Sequence, residues 1–130
     1  MPATDQGFRV QLPYPPSLNN LYATVNGRRV LSRRGRQYKT EVAWLVRRLR
    51  AEALPLSGRL SLTLSVYCPD QRRRDLSNLL KIVEDSLQAG GAYLDDSQID
   101  RLLVIRRGIA TAGYLLVAVA PLGDHHDPQH

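Results

Sequence analysis

The sequence predicts an α/β domain of the α+β kind, one small mixed β-sheet with two helices packed on it. Three observations lead there. Leu60, Leu62, Leu64 and Val66 alternate with Ser61, Thr63, Ser65 and Tyr67, the two-residue period of a half-buried strand. Two further stretches repeat apolar residues every three or four positions, as amphipathic helices do. The order of elements, β-hairpin-α-β-α-β-β, then leaves a single sheet to carry both helices. The chain has 130 residues and 43% hydrophobic content, enough for one domain with one core and too apolar for disorder.

Phe8 to Leu12 alternate apolar and polar and are stopped by Pro13, Pro15 and Pro16, which fits a short first strand. A turn-rich loop follows through Ser17, Asn19 and Asn20. Asn26-Gly27 marks a tight hairpin between Tyr22–Val25 and Arg28–Leu31. From Ser32 the period becomes helical, with Tyr38, Val42, Leu45, Leu49 and Ala53 on one stripe until Pro55 and Gly58. Trp44 and Phe8 are both expected in the core. Pro69 ends the Leu60 strand. A second helix is expected from Ser77 to Ala89, burying Leu79, Leu80, Val83 and Leu87 and ended by Gly90-Gly91. After a turn at Asp95 to Ser97, Leu102–Arg106 and Tyr114–Val119 read as two closing strands joined by a Gly-containing hairpin. Residues 1–122 thus form the domain, and 123–130 a polar, frayed tail.

Eighteen basic residues face twelve acidic ones, a formal charge of +6 with a pI near 10.0. Sixteen are Arg, and only Lys39 and Lys81 are Lys. Arg presents a planar fork of donors matched to phosphate, so the bias points to a polyanionic partner, although an Arg-rich proteome would also produce it. Cys68 stands alone, which excludes an intrachain disulfide and a cysteine zinc site. Met1 to Gly7 do not read as a signal sequence, and no apolar run approaches the ~20 residues of a membrane span. A cytoplasmic protein with no membrane partner is expected.

The candidate chemistry lies between Asp75 and Asp96. Arg72, Arg73 and Arg74 follow a strand and precede a helix; they form either a solvated loop or a phosphate clamp beside a helix N-terminus. Asp75 fits an ordinary cap and equally sits at a strand's C-terminal end, where ligands bind in open sheets. The adjacent carboxylates of Asp95 and Asp96 repel, so solvent, an Arg or a divalent cation must offset them. Hard oxygen donors without clustered His or Cys suit Mg²⁺ or Mn²⁺ rather than zinc. His125, His126 and His130 all fall in the tail. The sequence permits Asp96 to lie beside Asp75 without requiring it.

The run Arg73-Arg74-Asp75-Leu76-Ser77-Asn78-Leu79-Leu80-Lys81, then Glu84-Asp85-Ser86-Leu87, then Tyr93-Leu94-Asp95-Asp96-Ser97-Gln98-Ile99, closely resembles the RusA family of Holliday junction resolvases. Pro15-Pro16-Ser17-Leu18-Asn19-Asn20-Leu21-Tyr22 fits as well, so the resemblance covers roughly residues 10 to 120. It implies a homodimeric α/β protein that cuts four-way DNA junctions in recombination and repair with Mg²⁺ or Mn²⁺. It further implies that Asp75 and Asp96 bind metal and that Lys81 assists catalysis or substrate binding. The family's second Asp, two residues after the first, is Ser77 here. A natural variant with a substitute ligand, an engineered inactive form, and a relative that binds branched DNA without cutting it all fit that departure.

Elementary geometry suggests the substitute. At ~100° per residue, Ser77, Lys81 and Glu84 fall within about 60° of one another on a helix. Glu84 therefore joins Asp75, Lys81 and Asp96 as a candidate catalytic residue, the simpler alternative being an exposed i, i+3 ion pair with Lys81. The candidate metal ligands are Asp75, Asp96, Glu84 and Asp95. Arg72, Arg73 and Arg74, with Arg33, Arg34, Arg36 and Lys39, are the candidate DNA-binding set; Arg28 and Arg29 lie near them. Such contacts hold the backbone without reading sequence. A four-way junction has near two-fold symmetry, so a C2 dimer is the natural carrier of paired sites, nucleoid-associated when bound to DNA.

Overall fold

The computed structural model describes residues 7–49 and 54–122. Strand β1 (Phe8–Pro13) leads through one helical turn, α1 (Leu18–Leu21), into the hairpin of β2 (Tyr22–Val25) and β3 (Arg28–Leu31). Helix α2 (Arg33–Arg47) and strand β4 (Leu60–Cys68) come next. A 3-10 turn (Leu76–Leu79) runs directly into α3 (Leu80–Ala89), and a second 3-10 turn (Asp96–Gln98) starts β5 (Ile99–Ile109), followed by β6 (Tyr114–Pro121). The four long strands form one mixed sheet in the order β1-β6-β4-β5. Only the β4–β5 pair is parallel. The expected sheet with two helices is present, while β2 and β3 form a separate ribbon.

The alternation in β4 is complete. Leu60, Leu62, Leu64, Val66 and Cys68 are buried under the helices, and Ser61, Thr63, Ser65 and Tyr67 lie on the opposite face. Leu115, Val117 and Val119 of β6, with Phe8 and Leu12 of β1, continue the buried face in register. On the other face Tyr67 stacks on its cross-strand partner Tyr114, with ring centroids 4.5 Å apart. Asn26 and Gly27 take φ of 53° and 75°, as a two-residue type I′ turn requires.

Several expectations need correction. No hairpin joins β5 to β6, because β4 lies between them. The 110–113 connection instead crosses the end of β4, where Ala110 N donates to Cys68 O at 2.9 Å. Gly113 (φ 69°) passes so close that a Cβ there would meet Pro69 Cδ at 2.9 Å and Tyr67 O at 3.0 Å. The buried stripe of α2 is Tyr38, Val42, Ala43 and Val46, with Leu45 and Leu49 only half-buried. The helix stops at Arg47, and Ala53 lies outside the described residues, as does the tail. Trp44 is not in the core: it is 53% exposed. It stands two residues from both Val42 and Val46, about 200° around the helix from each. Phe8 is buried as expected.

The 76–89 segment begins as a 3-10 turn, and this changes its phase against a uniform α-helix. Ile82 and Ser86 join Leu79, Val83 and Leu87 on the buried side, and Leu80 is only partly covered. Ser86 is accommodated because its hydroxyl donates to Ile82 O. Gly90 lets the end of α3 pass close to α2: a Cβ there would come within 2.8 Å of Ala43 Cα. Gly91, at φ 84°, then reverses the chain, with Ala92 N bonded to Leu87 O at 3.0 Å.

Candidate active site

The connection from β4 to α3 carries Asp75 immediately before the 3-10 turn. Its backbone is extended and its side chain makes no cap bond, so the exposed carboxylate is not spent on local structure. It lines a groove of about 760 Å³ with Tyr14, Arg34, Glu41, Arg73 and Arg74. Pro13, Pro15 and Pro16 form the apolar wall of this groove. Tyr38 holds that wall by donating its hydroxyl to Pro13 O at 2.7 Å.

A second acidic group lies further along α3. Asp95 caps the 96–98 turn: its carboxylate accepts from Ser97 N at 2.9 Å, while Gln98 Oε1 accepts from Asp95 N at 3.0 Å. The Ser97 bonds hold the Asp95 carboxyl below the usual range. That reciprocal cap turns Asp96 inward, and its backbone N–H donates to Gln88 Oε1 at 3.2 Å. The Tyr93 hydroxyl donates to Glu84 O, 3.1 Å away, and also interacts with the Asp96 carboxyl. Asp96 Oδ1 is buried with no hydrogen-bond partner among the described residues.

Burial pushes the Asp96 carboxyl above the usual carboxylate range. The negative charges of Asp85 and Asp95 act in the same direction, and Tyr93 and Lys81 oppose them. Glu84 is raised first by burial, then by the charges of Asp96 and Asp85. Lys81 ion-pairs with Asp85 across one helical turn at 3.3 Å. That bond, followed by the charges of Asp85, Asp96 and Glu84, raises its pKa. The simple alternative of a Glu84–Lys81 ion pair is thus not what forms.

Glu84, Asp96 and Lys81 act on one another electrostatically, and Asp75 lines the groove at the start of the same segment. Among the described residues no three His, Cys, Asp or Glu side chains converge tightly enough to enclose a metal ion. Two carboxylates, one of them with an orphaned buried oxygen, nevertheless fit a hard divalent cation. Mg²⁺ commonly takes one or two carboxylates and completes its shell with water and substrate phosphate. Ser77 is exposed and adds no charge.

The arginines divide by role. Arg74, only 23% exposed at its side chain, is locked to Asp70, and Arg72 lies 3.6 Å from the same carboxylate. These contacts, Arg74 first, pull the Asp70 carboxyl down to about 2. An acid of the same loop therefore engages two of the three adjacent arginines, a third arrangement beside the solvated loop and the phosphate clamp. Arg73 is exposed and faces the groove. Arg33, Arg34 and Arg36 are exposed on the first turns of α2, Arg36 bonding Leu31 O at 3.0 Å, and Lys39 is half-buried. Sequence reasoning missed Asp70, Asp85, Gln88 and Tyr93 as partners. Only Asp85 left a usable signal, its four-residue spacing from Lys81.

Comparison with known proteins finds relatives over nearly the whole described chain. The family model described as endodeoxyribonuclease RusA matches residues 13–114. The chain is 31% identical over 117 residues to the crossover junction endodeoxyribonuclease RusA of Escherichia coli K12, covering 90% of this chain and 97% of the relative. It is 36% identical over 115 residues to the crossover junction endodeoxyribonuclease of Enterobacteria phage HK97, covering 88% and 95%. The corresponding enzyme of Enterobacteria phage 82 is 31% identical over 117 residues.

Proposed function

The chain belongs to the RusA family of endodeoxyribonucleases, and from that we propose that it cuts four-way (Holliday) DNA junctions in recombination and repair, using Mg²⁺ or Mn²⁺ at Asp96 and Glu84. The observation that supports this most is the buried, donorless Oδ1 of Asp96 beside a second carboxylate whose ionisation is also disfavoured. A bound divalent cation would lower the pKa of water and offset charge building on the scissile phosphate.

The chain's own residues do the rest. Asp96 and Glu84 present hard oxygens, and Asp75, whose side chain makes no cap bond, is a further candidate ligand at the groove. Asp95 positions Asp96 through its cap. Lys81 is exposed beside this pair and can move from Asp85 to a phosphate oxygen, adding positive charge where negative charge develops. Arg73, Arg34 and Arg33 bind the backbone; Arg72 and Arg74 shape the loop that carries Asp75. A C2 dimer would match the junction's symmetry and place two such sites on it. Among the described residues no helix is long and apolar enough to cross a membrane.

Binding of branched DNA without cutting, the alternative raised by Ser77, is disfavoured because Glu84 stands beside Asp96. Incubating the protein with a labelled synthetic four-way junction and a matched duplex, in Mg²⁺, Mn²⁺ or EDTA, tests the proposal. Cutting of the junction alone, abolished by EDTA, is expected. A junction that is bound but uncut in both metals would leave only the binding function.

A further inference from the structure

Trp44 is the chain's single tryptophan, held out in solvent by a helix whose buried stripe is complete without it. The Arg48 guanidinium lies over its ring, 4.6 Å from the centroid. The ring shares a hollow of about 530 Å³ with Arg33, Arg36, Gln37, Thr40 and Glu41. Gln37 and Glu41 also line the groove that holds Asp75 and Arg73, so hollow and groove adjoin along one face of α2.

We propose that this hollow receives an unpaired nucleobase at the branch point of DNA, stacked on Trp44, with Arg33 and Arg36 on the flanking phosphates. The inference rests on the junction-cutting function proposed above. Three arginines against one carboxylate, Glu41, select an anionic partner. A flat π surface beside them selects one that is both anionic and planar, and a nucleotide is both. Stacking on an aromatic ring tolerates any base, because every base has a π face. Bases within a continuous duplex have both faces covered, and extruding one costs unstacking energy. A base at a branch point is already partly released, so the hollow favours junctions over linear DNA. Gln37 and Thr40 offer hydrogen bonds to the base edge.

Because Trp44 is the sole tryptophan, its fluorescence in the full-length protein reports this contact directly. In EDTA, saturation with a four-way junction should quench the emission by about half or more, and a matched duplex should change it little. Trp44→Ala should weaken junction binding on the order of ten-fold, whereas Trp44→Phe, which keeps a stacking face, should stay within about three-fold of wild type. Circular dichroism melts of both variants should match wild type, since the side chain is outside the core. A wild-type protein that neither binds nor cuts junctions would overturn the functional proposal itself. Junction binding and cutting with unchanged Trp44 emission and unimpaired Trp44→Ala affinity would overturn this inference alone. So would a blue shift that grows with protein concentration in the absence of DNA, which would assign the face to a second copy of the chain.

Discussion

Replacing Asp96 with Asn tests whether its carboxylate is held at a cost for the sake of metal. In the metal-free protein the wild-type side chain keeps one buried oxygen without a donor, near the like charges of Asp85 and Asp95. An unsatisfied buried polar group costs ~1–3 kcal/mol and more when it is charged, and the amide, although still polar, sheds that charge and its repulsion by Asp85 and Asp95. The neutral amide should therefore stabilise the metal-free fold by about 1 kcal/mol. With unfolding entropy of ~2.1 cal/mol/K per residue, that raises Tm by about 4 °C. Metal reverses the order, because a ligand at about 100 times its Kd stabilises by ~2.7 kcal/mol, about 10 °C on the same scale. Thermal melts by circular dichroism in EDTA and in a Mg²⁺ or Mn²⁺ series would show both effects. An Asn variant that melts below wild type in EDTA, or that gains as much from metal as wild type does, would refute the reasoning and make Asp96 a structural turn residue.

Other consequences can be checked separately. Glu84→Gln should lower the single-turnover cutting rate at least ten-fold with junction affinity retained, and adding Ser77→Asp should restore part of it; normal cutting by the single variant would make Glu84 a bystander. Lys81→Ala and Lys81→Arg should both slow cutting more than they weaken binding, measured by single-turnover assay and gel shift, since a guanidinium fork does not reproduce a point charge. Raised carboxyl pKa values at Asp96 and Glu84 mean that protonation favours the metal-free fold below their unfolded values. That contribution disappears as pH rises through the raised folded values. Metal competes with those protons, so Mn²⁺ affinity by titration calorimetry should increase with pH across that window, and a flat profile would count against these ligands. Gly90→Ala should destabilise by about 1–3 kcal/mol in urea unfolding, because the new methyl meets backbone at Ala43.

Much of the fold was legible where a local rule fixed the outcome. The alternation of Leu60 to Val66 found β4 and its buried face, Asn26-Gly27 found the β2–β3 turn, and Gly90-Gly91 found the end of α3. Strand partners were not legible, because the same alternation serves neighbours and next-but-one strands. A short 110–113 connection looks like a hairpin until β4 is inserted between its arms. Trp44 misled for a related reason: an apolar side chain near a stripe is read as core, and a shift of two residues carries it to solvent. At the site, the residue types between Asp75 and Asp96 signalled hard-oxygen chemistry, and helix phase brought Glu84 into consideration. The approach of Glu84 to Asp96 depends on the Asp95 cap and the Gln88 bond, long-range geometry that no spacing encodes. The same holds for Asp70, whose capture of Arg74 changes what the Arg72–Arg74 run can offer to DNA.

The most direct measurement of the central claim is single-turnover cutting of an end-labelled four-way junction at saturating protein, by wild type and Asp96→Asn, with binding followed in the same samples. The account predicts paired nicks in opposing strands by wild type in Mg²⁺ or Mn²⁺, and none by the variant while it still shifts the junction fully. Nicking by Asp96→Asn at the wild-type rate would contradict it.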